Sequence, residues 1–405
     1  MVRHDSLESN RLVVSVLAMV CLAHLLNDLL QSVIPAVYPM LKESYGLTFL
    51  QIGAITLVTN LTSSILQPVV GYYSDKHPHP FLLAIGMGGT FAGLLLLAFA
   101  GNFLLMLVAV ALAGFGSAVL HPEASRVARM ASGNSKGLAQ SIFQIGGNVG
   151  RSLGPIVVAL VVVRLGQWSI SLVSLIAFLA VMVLIWVGRW YQQQLLKGQQ
   201  VGKSKFDQEN STSLTHRQVV WALVVLLVLM FSKDFYLSNL QNYFTFYLIH
   251  KFGISIEASQ YCLFALLFSS AFGLILGGRL GDKYGRKYVI WISILGAAPF
   301  ALLLPYCNMT WTILLAIITG MIIFTSTSAI LVYAMDILPG NVGMISGAFF
   351  GLSFGLGGIG SALFGWIADL HNIEYVFQLT AFLPLLGFVA CWLPKDNKKR
   401  SLQKE

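Results

Sequence analysis

Gly278-Arg-Leu-Gly-Asp282-Lys283-Tyr-Gly-Arg286-Lys287 is a charged turn between two long apolar runs, and a worn copy stands 207 residues earlier as Gly71-Tyr-Tyr-Ser-Asp75-Lys76-His-Pro-His-Pro80. Gly71, Asp75 and Lys76 fall on Gly278, Asp282 and Lys283, whereas Pro78, His79 and Pro80 replace the Gly, Arg and Lys of the later copy. Roughly one apolar run upstream, the same offset lays YGLTFLQIG (45–53) on FGISIEASQ (252–260) and matches Gly46 with Gly253. Two matches at one offset, on either side of a whole apolar run, point to a chain built twice on one plan. Parallel six-helix repeats form the two bundles of many secondary transporters, which rock about a site near mid-membrane.

Composition says what surrounds the repeat. Of 405 residues, 57% are hydrophobic and 10% charged, and the mean hydropathy is +0.77. A water-soluble domain carries about 25% charged residues, so the outside of this chain must meet lipid. Apolar runs lie near 12–41, 48–73, 81–100, 103–125, 137–163 and 168–190, then near 218–249, 255–280, 288–306, 311–335, 343–369 and 374–393. Crossing the hydrocarbon layer takes about 20 helical residues. The predicted fold is an all-α membrane protein of twelve transmembrane helices in two six-helix pseudo-repeats. The N-terminal bundle is 1–190, a polar linker spans 191–216, and the C-terminal bundle is 217–405. The first run is too long for a signal-peptide core and lacks an obvious cleavage site, so it is expected to be retained.

The net charge of +9 would suit a nucleic-acid partner if the basic residues clustered on a soluble face. They do not. Twenty of the 25 Lys and Arg residues fall in the termini, the linker and the loops after even-numbered spans; only Lys42, Arg164 and Lys251 fall in the opposite loops. The positive-inside rule turns this bias into topology, with both termini and the linker in the cytoplasm. No nucleic-acid partner is expected; the surroundings are the lipid bilayer, and a monomer is expected. Cys21, Cys262, Cys307 and Cys391 are scattered in or beside apolar stretches and suggest neither disulfides nor a metal site. Walker A and HExxH patterns are absent and no GxSxG nucleophile elbow is read, so no enzyme, cofactor or metal is expected, and the energy source would be the proton gradient.

The segment 278–287 resembles the signature loop of the major facilitator superfamily, found after its second and eighth spans. The resemblance implies a latch in which Asp282, Arg286 and, in the degraded copy, Asp75 and Lys76 pair at the cytoplasmic side. The plainer alternative is positive-inside charges beside a tight turn. Gly150-Arg-Ser-Leu-Gly154-Pro155 resembles the antiporter motif of the superfamily's drug exporters, without its trailing glycines (Val158, Ala159). Spacing of four sets Gly146, Gly150 and Gly154 on one helix face, where small residues allow close packing; Gly347, Gly351 and Gly355 repeat the device.

Charges at bilayer depth cost at least a few kcal/mol on insertion scales (~2.5–3.5), so each needs a reason. His24, Asp28 and Gln31 share one face of the first span, with Asn27 bordering it. Burial and neighbouring charge pull a carboxyl's proton affinity in opposite directions, which is the sensitivity a proton carrier needs; a fixed helix-locking ion pair is the alternative. Lys233 and Asp234 lie at similar depth in the seventh span, the repeat partner of the first. Lys233 could neutralise Asp28 or bind an anionic solute, and Asp234 could simply satisfy it. Gln140, Gln144, Asn148 and Arg151 make a regular stripe on the fifth span, offering amide donors and a guanidinium suited to bidentate oxyanion contacts. In His121-Pro-Glu-Ala-Ser-Arg126 the proline is expected to distort the helix. Glu123 and Arg126 there belong either to the latch or, for Glu123, to a second protonation site.

Longer blocks carry a closer resemblance. His24-Leu-Leu-Asn27-Asp28, Leu47-Thr-Phe-Leu-Gln51-Ile-Gly, Gln67-Pro-Val-Val-Gly71-Tyr, His121-Pro-Glu-Ala-Ser-Arg-Val-Ala-Arg129 and Gln140-Ser-Ile-Phe-Gln-Ile-Gly-Gly-Asn148 all look like fosmidomycin resistance proteins of that superfamily, as does Ala381-Phe-Leu-Pro-Leu-Leu-Gly387. The resemblance spans nearly the whole chain. It implies a bacterial inner-membrane exporter driven by proton antiport, acting on fosmidomycin and other small-molecule drugs. Fosmidomycin is a phosphonate, which suits Arg151 and Lys233. Where the resemblance implies a small residue this chain has Arg151, which makes Lys233 the firmer anion partner. Transport of a natural anion such as a sugar phosphate or organic acid would use the same cations and stands as the alternative.

Overall fold

In lipid every backbone N–H and C=O must find its partner within the protein, and an apolar run meets that demand most simply as a helix. The computed structural model describes residues 13–132, 136–197, 214–338 and 342–394, with the side chains of 75, 136–138, 140, 141, 282 and 342–347 outside the description. The expectations for Asp75, Asp282 and Gln140 therefore lie outside the described residues. Helix α1 is Val14–Ala36, continued after Val37 by Tyr38–Tyr45. It is followed by α2 (Phe49–Lys76), α3 (Leu82–Ala98), α4 (Phe103–Met130), α5 (Lys136–Val157, prolonged by a π-turn at Val158–Val162) and α6 (Ile170–Leu196). The second set is α7 (His216–Phe252), α8 (Ile256–Tyr284), α9 (Arg286–Leu303), α10 (Met309–Ile337), α11 (Val342–Leu370) and α12 (Ile373–Thr380, prolonged by a 3-10 helix at Leu383–Trp392). Among the described residues, eleven helices are long and apolar enough to cross a membrane and the shorter α3 makes the twelfth. No strand occurs among them.

The repeat seen in sequence recurs in the backbone. Gly46 ends α1 and Gly253 ends α7, both left-handed at φ 60° and 65°. That conformation costs glycine nothing and penalises a residue with a Cβ, which is why helices so often stop on it. The pairing is repeated too: α1 packs on α5 and α3 on α4 and α6, while α7 packs on α11 and α9 on α10 and α12.

The chain forms two compact units. One holds residues up to Leu47 together with Val58 through α6; the other holds Thr48–Leu57 with α7 onward. In the second unit Asp369 at the end of α11 caps the start of α2, its two carboxylate oxygens accepting the Phe49 and Leu50 N–H groups at 2.7 Å each. A carboxylate at a helix N-terminus satisfies orphan donors and complements the helix dipole.

Three boundaries differ from the sequence reading. Helix α4 runs straight through Pro122 to Met130 instead of stopping near 125, because one missing N–H removes a single ladder bond from a long buried helix. Helix α6 continues to Leu196, into the stretch expected to be linker, whose residues 198–213 lie outside the description. The last span turns 3-10 after Phe382: Pro384 cannot donate and disfavours α geometry at Leu383.

Candidate functional site

The site of the first unit is built where α5 lies almost in contact with α1. A Cβ added at Gly146 would sit 2.5 Å from the Cys21 carbonyl oxygen, one at Gly150 2.0 Å from that of Leu25, and one at Gly154 2.0 Å from Ser32 Oγ. The glycine face expected from spacing is thus the face that α1 occupies. This close approach brings the next stripe of α5 onto the polar stripe of α1. Arg151 Nη2 donates to Asp28 Oδ2 at 3.0 Å, and Asn27 Nδ2 donates to Asp28 Oδ1 at 3.0 Å. His24 Nε2 stands 3.6 Å from Oδ2, and His121 Nε2, from α4, 3.7 Å from Oδ1. The Asp28 side chain is only 4% exposed and that of Arg151 33%, so the carboxylate is sealed and its cation is partly exposed. The sequence left open whether Arg151 or Lys233 pairs with Asp28; it is Arg151.

His24 is locked on three sides. Its Nδ1 hydrogen-bonds the Phe143 carbonyl oxygen at 2.8 Å, its ring stacks on Phe143 at 4.0 Å, and its edge meets His121 at 5.2 Å. Gly147 makes room for it: an added Cβ would stand 2.4 Å from His24 Nε2. Gly147→Ala is accordingly expected to push the imidazole off Asp28 and to cost about 1–3 kcal/mol, as overpacking does. The melting temperature of the purified protein should fall; an unchanged value would show that His24 yields without consequence.

His121 is the site residue the sequence reading missed. Placed at a helix end beside Pro122, it looked peripheral, but α4 continues to Met130, so His121 lies inside the span with its Nδ1 on the Ser117 carbonyl oxygen at 2.8 Å. Donor atoms of His24, Asp28 and His121 come within 4.8 Å of one another, a spacing that could hold a cation. The Arg151 guanidinium on the same carboxylate opposes one. The cluster is therefore better suited to protons, and Arg151 to an anion.

Around this core, Gln31 Nε2 donates to the Ala113 carbonyl oxygen at 2.8 Å, tying α1 to α4, and Asn148 Nδ2 donates to the Gln144 carbonyl oxygen at 2.8 Å. Gln144 and Asn148 are half-buried beside Arg151 on α5. In the second unit Lys233 Nζ donates to Asp234 Oδ1 at 2.6 Å, and both side chains are buried. The two cations thus hold separate carboxylates, each within its own unit.

The expected latch residues meet helix ends as well as acids. Arg126 donates from Nη1 to the Ser74 carbonyl oxygen at 2.6 Å and from Nη2 to that of Gly71 at 3.4 Å, and lies 3.5 Å from the buried Glu123. A cation on the last carbonyls of α2 is favoured by the helix dipole. Lys76 Nζ donates to Tyr72 Oη at 2.5 Å. In the second unit Arg286 pairs with Asp336, and Lys287 donates to the Cys391 carbonyl oxygen at 2.8 Å.

Twelve apolar helices in two similarly paired sets, with carboxylates and cations buried at mid-span, define a multi-pass membrane transporter of small molecules. The chain belongs to the Major Facilitator Superfamily, whose family model matches residues 20–359 and 235–405. Among its relatives, the Fosmidomycin resistance protein of Escherichia coli (strain K12) is 52% identical over 384 residues, covering 95% of this chain and 94% of that one. The MFS-type transporter YfnC of Bacillus subtilis (strain 168) is 41% identical over 386 residues, again 95% and 94%. The crystal structure of the nucleoside transporter NupG shares the fold at a TM-score of 0.71 and 13% identity, covering 93% of this chain and 98% of that chain.

Proposed function

We propose that this protein exports fosmidomycin-like drugs from the bacterial cytoplasm by proton antiport, with Asp28 as the carboxylate that takes and releases the proton. The observation that carries the reading is the sealed Asp28 held at 3.0 Å by the half-open Arg151, with two imidazoles within 3.7 Å. A proton entering through His24 or His121 neutralises Asp28, and loss of that charge loosens its hold on Arg151. The 52% identity to a fosmidomycin resistance protein supports the drug class. Gln31, Gln144, Asn148 and Arg151 are the solute-binding groups of the first unit, with the buried His24 and Asn27 behind them, and Lys233 is the solute-binding cation of the second. Glu123–Arg126 and Arg286–Asp336, with Asp75, Lys76 and Asp282 of the repeated turn, act as latches; Glu123 serves the proton path only if the latch role fails.

The protein works as a monomer in the inner membrane, with no cofactor and no catalytic step. Residues 1–190 and 217–405 form the two moving halves, and both termini and the 191–216 linker are cytoplasmic; the basic-residue bias supports this orientation. In everted vesicles with an acid interior, adding fosmidomycin should release protons down the imposed gradient in step with drug accumulation inside. Drug accumulation without proton movement would reject antiport. The same cations would suit an organic phosphate, and counterflow with a labelled phosphate monoester tests that second reading.

A further inference from the structure

Two imidazoles stand against the Asp28 carboxylate, and their backbone partners fix which nitrogen of each ring carries hydrogen. His24 Nδ1 lies 2.8 Å from the Phe143 carbonyl oxygen, and His121 Nδ1 lies 2.8 Å from that of Ser117. A carbonyl oxygen only accepts, so each Nδ1 carries a hydrogen and each neutral ring keeps its lone pair on Nε2. Both Nε2 atoms face Asp28, at 3.6 Å and 3.7 Å. These separations exceed the reach of an N–H···O hydrogen bond, about 2.7–3.2 Å, and His24 Nε2 has no hydrogen-bond partner among the described residues. A lone pair opposite a carboxylate has nothing to share until a proton arrives; one proton would close either gap into a charge-assisted bond. The two rings meet edge-on at 5.2 Å, where a second imidazolium would be repelled, so the cluster takes one such proton at a time.

We propose that His121 is the relay that carries protons between water and Asp28, and that His24 is a positioning residue. Exposure separates the two rings: the His121 side chain is 21% exposed and that of His24 3%. The carboxylate separates them again. His24 faces Oδ2, which the Arg151 guanidinium already holds at 3.0 Å, whereas His121 faces Oδ1, which accepts the neutral Asn27 amide at 3.0 Å. A proton on Oδ2 has to compete with a cation, and one on Oδ1 does not. In the relay step water gives a proton to His121 Nε2 and the imidazolium turns this N–H to Oδ1. The O–H bond then forms as the N–H bond breaks, and the electron pair returns to Nε2; release runs the same step backwards. Nδ1–H stays on the Ser117 carbonyl throughout, so Nε2 both receives and delivers, and a swing of about half an ångström brings it within bonding reach. The other ionisable groups around His121 are few. Besides His24 and Asp28 on α1 and Arg151 on α5, Glu123 and Arg126 on α4 itself pair with one another at 3.5 Å. Helix α3 has no titratable side chain, and those of α2 lie within residues 72–76. The inference rests on Asp28 as the proton carrier and adds the route by which the proton reaches it.

The test follows fosmidomycin-driven proton movement in proteoliposomes of the full-length protein. His121→Gln keeps a donor for the Ser117 carbonyl but cannot exchange a proton, so its rate should fall at least about tenfold, a modest share of what a positioned acid–base group supplies. Added imidazole should raise that rate again at least about threefold, since a free ring can carry the same proton. His24→Gln should gain nothing from imidazole, because its place is sealed. The relay is overturned if His121→Gln keeps its rate within about twofold of wild type, if imidazole does not relieve its loss, or if imidazole rescues His24→Gln instead. Should His121→Gln fail to fold, carbethoxylation of the wild type with diethyl pyrocarbonate replaces it. Proton movement should then fall in step with the His121 adduct read by mass spectrometry and return with hydroxylamine; full modification of His121 without loss overturns the relay. A wild type that moves no protons on drug addition sinks antiport itself; movement that needs Asp28 and ignores His121→Gln sinks the relay alone.

Discussion

Replacing Asp28 by asparagine is expected to abolish the proposed proton-coupled efflux while leaving a folded, membrane-inserted protein. Asparagine keeps the shape of the side chain and its acceptor oxygen toward Asn27, so the 3.0 Å contact between those residues has a substitute. What it cannot do is exchange a proton. Arg151, with a third of its side chain exposed, can turn to water once the carboxylate is gone, so the lost charge need not strand a buried cation. Drug-driven proton movement should fall to background and accumulation by at least tenfold, a change of only about 1.4 kcal/mol in the driving equilibrium. Wild-type efflux from an Asp28→Asn protein of normal expression would remove Asp28 from the mechanism.

The reverse removal should be harsher on the fold. Arg151→Gln leaves Asp28 sealed at 4% exposure with the Asn27 amide and two imidazoles near it and no guanidinium. Removing one partner of a buried pair costs about 3–5 kcal/mol; solvent around the Arg151 side chain lowers that to about 2 kcal/mol here. The melting temperature should drop on the order of 5 °C. Combining Asp28→Asn with Arg151→Gln should restore most of that stability without restoring transport, since two amides can satisfy one another where an unpaired carboxylate cannot. The double-mutant cycle then measures the pair's coupling. Additive losses in the double variant would mean that the 3.0 Å contact carries no energy.

Several of these groups could be seen in the sequence, and the reason differs from group to group. The spans were legible because a bilayer imposes one length on every helix. The glycine face of α5 was legible because a four-residue spacing stays on one face whatever that face meets. The His24–Asp28–Gln31 and Gln144–Asn148–Arg151 stripes were legible for the same reason, since a polar stripe in an apolar helix has to turn from lipid. His121 was not. Its relevance depends on α4 remaining helical through Pro122, which the packing around the helix decides and local propensity argues against. Nor could spacing say that Arg126 would sit on the Ser74 and Gly71 carbonyls, or that Asp369 would cap Phe49, because each contact joins positions far apart in the chain. The 3-10 ending of α12 was equally hidden, since its residues are as apolar as those of any other span.

By itself, then, the order of residues determined the solvent, the number of the spans, the duplication, and which helix faces carry charge, because each follows from local hydropathy and helical period against a fixed membrane thickness. Only the tertiary structure decided who meets whom: that Asp28 takes Arg151, that His121 joins it, that Arg126 reaches the carbonyls of α2. Those choices turn on tenths of an ångström between helices, set where a glycine lets one backbone approach another, and no one-dimensional pattern encodes that distance.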